Sequence, residues 1–85
     1  MTYTFNTKGN VHTLTGVVSN NGIMSISGLN QIFNIAEIVN GKTGQIYIDP
    51  TGGEVNIKKF TNLGDMSNVH IHSKDGAVIN INLLI

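Results

Sequence analysis

Eighty-five residues without a single cysteine make one small domain, read as residues 1–85, that has neither disulfides nor a thiolate zinc site to support it. Charged residues are 12% of the chain and cancel to zero net charge, against about 25% in ordinary soluble domains. The ten charges are scattered, so there is no basic footprint for nucleic acid or anionic lipid. No apolar run nears the ~20 residues that cross a bilayer, which excludes membrane insertion by a helix.

In chain order, Tyr3 and Phe5 alternate with Thr and Asn in a short first strand that breaks at Lys8-Gly9-Asn10. Val11 to Val18 alternates again, with Gly16 marking a bulge or a close backbone approach. Asn20-Asn21-Gly22 has the chemistry of a hairpin turn, and Ile23 to Ser27 returns from it. Residues 29–40 fit a helical face or strand pairs; extended structure with a break near Ala36-Glu37 is preferred. Gly44 to Phe60 is expected to be the central hairpin: Ile46 and Ile48 against Val55 and Ile57, joined by Pro50-Thr51-Gly52-Gly53. Thr61 to Ser67 is a polar loop anchored by Leu63 and Met66. His70 and His72 then alternate with Val69 and Ile71, Ser73 to Gly76 turns, and Ala77, Ile79, Ile81, Leu83 and Ile85 line one face of a last strand.

Turn signals every eight to twelve residues predict an all-β fold, a small antiparallel β-sandwich or jelly-roll-like barrel of about six to eight strands. The similar plan of the two C-terminal hairpins also suits a β-solenoid, but no fixed period extends to the N-terminus.

Sparse charge and a small core predict a homo-oligomer, since burying apolar strand surface between chains supplies stability at about 25 cal/mol per Å². Ile79, Ile81, Leu83 and Ile85 are the candidate interface. His70 and His72, two apart on a strand, put both imidazoles on one face at about 7 Å. A third ligand from His12, Asp49 or Asp75, or further copies around a symmetry axis, would complete a site for iron or zinc; the plain alternative is two solvated histidines and no cofactor. Tyr47, opposite Ile46 and Ile48, is the aromatic side chain expected outside, where it could stack on a sugar with Asn56, Asn80 and Asn82 as hydrogen-bonding partners. Neither the glycines at 52 and 53 nor Gly41-Lys42-Thr43 meets the phosphate-loop pattern, and no base stands beside a nucleophile, so the chain is read as no enzyme. Met1-Thr-Tyr-Thr-Phe lacks the basic and apolar regions of a signal peptide, which predicts a soluble chain made in a cytoplasm.

Gly9-Asn10-Val11-His12-Thr13-Leu14-Thr15-Gly16, then Gly41 through Ile57, then Lys74-Asp75-Gly76 resemble in order and spacing a module of bacteriophage tail-fibre and tail-tip proteins. The resemblance implies a β-sandwich that trimerises on a virion as fibre, adaptor or receptor-binding tip, or a capsid decoration protein. It would be placed there after synthesis in the host cytoplasm, beside other virion proteins and against a host-surface glycan. It also implies a trimeric tip in which His70 and His72 hold iron.

Overall fold

The computed structural model describes Thr2–Thr4 and residues 11–85. Eight strands occur in these residues: β1 (Thr2–Thr4), β2 (Val11–Asn20), β3 (Ile23–Ile26), β4 (Ile32–Asn40), β5 (Gln45–Ile48), β6 (Glu54–Asn62), β7 (Val69–Ile71) and β8 (Val78–Leu84), with one 3₁₀ turn, η1 (Met66–Asn68). They form two four-stranded sheets, β1-β3-β5-β7 with short strands and β2-β4-β6-β8 with long ones. Every neighbouring pair is parallel. Odd and even strands thus alternate between two walls, and the chain is a parallel β-solenoid of about three turns.

The expected antiparallel sandwich or barrel is therefore wrong, and the reason is specific. Alternation along a strand reports which side chains face the core; it carries no information on strand direction. Ile46 and Ile48 face inward from β5, and Val55 and Ile57 face inward from β6, but these strands lie in different sheets. The Pro50–Gly53 stretch is a corner that changes wall, as are Asn20–Gly22 and Ser73–Gly76. Gly52 (φ 64°) and Gly53 (φ 70°) take the left-handed backbone expected of them, while doing a different job.

Extended structure is present over Ile32–Asn40 as β4, while residues 29–31 form a corner in which Asn30 takes a left-handed backbone (φ 55°); at Ala36-Glu37 the strand does not break but carries two successive outward residues between buried Ile35 and Ile38. The same double step recurs at Lys58-Lys59 in β6. It has a consequence in β8, where Leu83 pairs with outward Lys59 and Leu84 with buried Phe60. Leu84, not Leu83, thus continues the inward row of Ile79 and Ile81. The bulge expected near Gly16 also exists: β2 has Thr15-Gly16 between Leu14 and Val17 where β4 has only Ala36 between their partners. Leu63 and Met66 are both more than half exposed, so they do not anchor the segment after β6. The break at Lys8-Gly9-Asn10 lies outside the described residues.

The core is built as stacked rows. Met24 and Ile26 lie beside Ile46 and Ile48 on the short-strand wall; Phe33, Ile35 and Ile38 lie beside Val55, Ile57 and Phe60 on the long-strand wall, and all are buried. Stacking like on like is what a solenoid does to bury a face that one coil cannot bury alone. The corner after the long strands carries a polar row within the fold. Asn20 donates to Asn40 (2.9 Å), and Asn40 donates to Asn62 (3.1 Å) and to the Gly44 carbonyl (2.9 Å). Asn20 and Asn40 are fully buried, so these bonds satisfy amides that would otherwise be costly to desolvate.

Candidate functional site

Two features stand out, a cleft on the short-strand wall where β5 meets β7 and the outer edge of β8. The cleft follows from parallel register. Tyr47 pairs with His70 across β5 and β7, so both point outward in one row, and their rings stack with centroids 4.4 Å apart and planes 9° from parallel. Two residues further on, the alternation turns Asp49 and His72 to the same side; both backbones are still in the ladder, with Asp49 N bonded to Ile26 O (3.0 Å) and His72 N to Ile48 O (2.8 Å). Tyr47, Asp49, His70, Ile71 and His72 line a cleft of about 380 Å³.

His70 is steadied by Gln45, whose Oε1 lies 3.3 Å from His70 Nε2 and whose amide donates to Asn68 (3.1 Å). Asp49 is held less completely. Its Oδ2 is 4.0 Å from Lys74 Nζ, a partly exposed pair worth only about 0–1 kcal/mol. Its Oδ1 is shielded from solvent and has no hydrogen-bond donor among the described residues. A shielded carboxylate oxygen without a donor is a standing demand for one.

Of the residues marked for function in the sequence, this cleft collects Tyr47, the sugar-stacking candidate, with His70, His72 and Asp49, the candidate metal ligands. Among the described residues no three His, Cys, Asp or Glu side chains form a group able to hold a metal ion, so His70 and His72 have no third ligand placed with them there. His12 is far along the fold on the other wall, against the Phe33 ring (5.0 Å between centroids) with Nε2 2.8 Å from Gln31 Oε1.

Asn56 and Asn80 are on the long-strand wall, apart from Tyr47. They form an outward row with Asn34, Asn80 donating to Asn56 (2.8 Å) and Asn56 to Asn34 (3.1 Å). Asn82 is exposed two residues further along β8. The three asparagines therefore do not share a site with Tyr47. The partner that sequence reasoning did not join to Tyr47 is Asp49, two residues on in the sequence and so on the same side of the strand.

The second feature is the terminal edge. β8 and β7 come last in their sheets, and among the described residues nothing pairs with their outer sides. Ile79 and Ile81 are half-buried over the core, while Val78 (50%), Leu83 (49%), Leu84 (51%) and Ile85 (61%) are exposed. Ile71 adds an exposed apolar group on the other wall. Residues 78–85 contain no charge, proline or glycine, the devices that ordinarily keep a strand edge from pairing.

No protein-family model, curated protein or solved structure matches the chain.

Proposed function

We propose that this chain is a non-enzymatic assembly module that self-associates through the strand edge of its last coil. The observation that carries this is β8: a seven-residue strand with one side unpaired among the described residues, apolar residues exposed along it, and no guarding charge. An edge of this kind is a template for another strand, and pairing would also cover Leu84 and Ile85 at about 25 cal/mol for each Å² of apolar surface buried. The tail-fibre resemblance implies a β-sandwich, which the parallel solenoid is not, so this proposal rests on assembly and not on a virion setting.

Light scattering coupled to gel filtration tests this. The purified chain should elute at a multiple of its own mass, with the larger species favoured by concentration. A Val78→Lys/Asn82→Lys variant, charged on the exposed side of β8, should run as a monomer with an unchanged far-ultraviolet circular dichroism spectrum. A monomeric parent chain at every concentration would overturn the proposal.

A second reading rests on Asp49. The Asp49 carboxylate, lining the cleft beside the Tyr47–His70 ring pair and His72, suits a small hydroxyl-rich ligand such as a sugar, whose hydroxyls donate to the carboxylate and whose apolar face lies on an aromatic ring. Titration of monosaccharides against the amide spectrum should shift Tyr47, Asp49 and His70 together and fail in Asp49→Ala. Unmoved resonances at millimolar sugar would dismiss it.

A further inference from the structure

The two ends of the solenoid are built differently, and the difference selects a symmetry. At the first coil, β2 carries the extra residue at Thr15-Gly16, so its outer side is bulged. A bulge breaks the even spacing of N–H and C=O groups that a docking strand needs. At the last coil, β8 stays in register with β6 from Val78 to Leu84. Head-to-tail stacking would set the evenly alternating Val78–Ile81 stretch, ahead of the double step at Asn82-Leu83, against a bulged edge; tail-to-tail pairing sets that stretch against its own copy.

Resting on the assembly reading above, we infer that the partner at this edge is a second copy of the chain, joined tail to tail as a closed dimer with β8 antiparallel to the partner's β8. The register follows from which groups are free. Val78 N–H is turned toward β6, bonding Gly53 O at 3.0 Å. In a parallel ladder alternate residues bond to the same neighbour, so Asn80 also turns toward β6 while Ile79 and Ile81 offer N–H and C=O to the open side. Centring the two-fold axis on Asn80 places Ile79 opposite the partner's Ile81, where the free groups meet in hydrogen-bonded pairs. Asn80 then stands opposite its own counterpart in a non-hydrogen-bonded pair. The same register keeps faces matched: Ile79 and Ile81 extend the apolar core across the junction, and the outward Asn34–Asn56–Asn80 row continues into its copy. A centre on Ile81 instead would oppose inward Ile79 with outward Leu83. A closed two-fold contact stops at two chains, whereas a head-to-tail contact would grow without limit.

The absence of cysteine makes this testable with single substitutions. A non-hydrogen-bonded antiparallel pair brings Cα atoms to about 4.5 Å, within disulfide range. Asn80→Cys should therefore convert to a covalent dimer under mild oxidation at low protein concentration, and Thr13→Cys, on the first coil, should not. If light scattering shows association but Asn80→Cys does not cross-link, or if a mixture of the two variants links Cys at 80 to Cys at 13, the tail-to-tail dimer is overturned while self-association stands. If the parent chain is monomeric throughout, both fall.

Discussion

The Asn20 side-chain amide donates to the Asn40 side-chain oxygen at 2.9 Å across two successive coils, both residues fully buried. This bond belongs to a polar row that pins the coils in register at one corner, because each amide must find its neighbour's oxygen within a wall where water does not compete. Asn40→Ala should lower stability by about 2–3 kcal/mol, since it strips donors from Gly44 O and Asn62 Oδ1 and an acceptor from Asn20. A shift of the urea midpoint at constant slope measures it.

Phe60 is the largest buried side chain of β6, between Ile38 and Leu84 in its row. Phe60→Ala should cost about 3–5 kcal/mol, a large part of the roughly 5–15 kcal/mol that a domain possesses. Thermal unfolding by circular dichroism reports it directly.

Gly53 and Gly76 have nearly the same backbone, φ 70° and 74°, in different surroundings. A β-carbon at Gly53 would collide with the backbone oxygen of Gln31 in the preceding coil; at Gly76 it would meet nothing within 4 Å. Gly53→Ala should therefore destabilise by more than about 2 kcal/mol, and Gly76→Asn, with the side chain best suited to left-handed backbone, by under about 1 kcal/mol. Equal midpoints for the two variants would contradict the close approach at this corner.

Asp65 caps η1 by accepting the Ser67 backbone N–H at 2.9 Å, and this bond holds its carboxyl below the ordinary aspartate range. With the folded pKa depressed, the small stabilisation is present above the unfolded-state pKa and fades as pH falls through the folded one. Carbon-detected titration should find the Asp65 midpoint below that of an unfolded peptide of the same sequence.

Much of the local structure is legible in the residues. Period-two alternation identifies Ile46, Ile48, Val55 and Ile57 as inward, and Pro50, Gly52 and Gly53 as a turn. Direction is not legible there, because a corner between walls and a hairpin within one sheet use the same Asn-Gly and Gly-Gly chemistry. The repeat was hidden by unequal coils: Val11 pairs with Ile32, 21 residues on, Ile32 with Glu54 after 22, and Glu54 with Val78 after 24. The signal that could have revealed it is Asn20, Asn40 and Asn62, spaced by 20 and 22, each followed closely by glycine. The cleft was only half legible for the same reason. Tyr47 and His70 are 23 residues apart, and nothing joins them until the third and fourth short strands lie side by side.

Hydrogen exchange at β8 tests assembly most directly. In an isolated chain the Ile79 and Ile81 amides face solvent at the open edge, whereas the Ile57 amide lies within a sheet paired on both sides. Raising the protein concentration should slow exchange at Ile79 and Ile81 while leaving Ile57 slow throughout. Fast exchange at Ile79 and Ile81 at every concentration, with Ile57 protected, would show a folded solenoid whose last edge stays open, and would contradict assembly through β8.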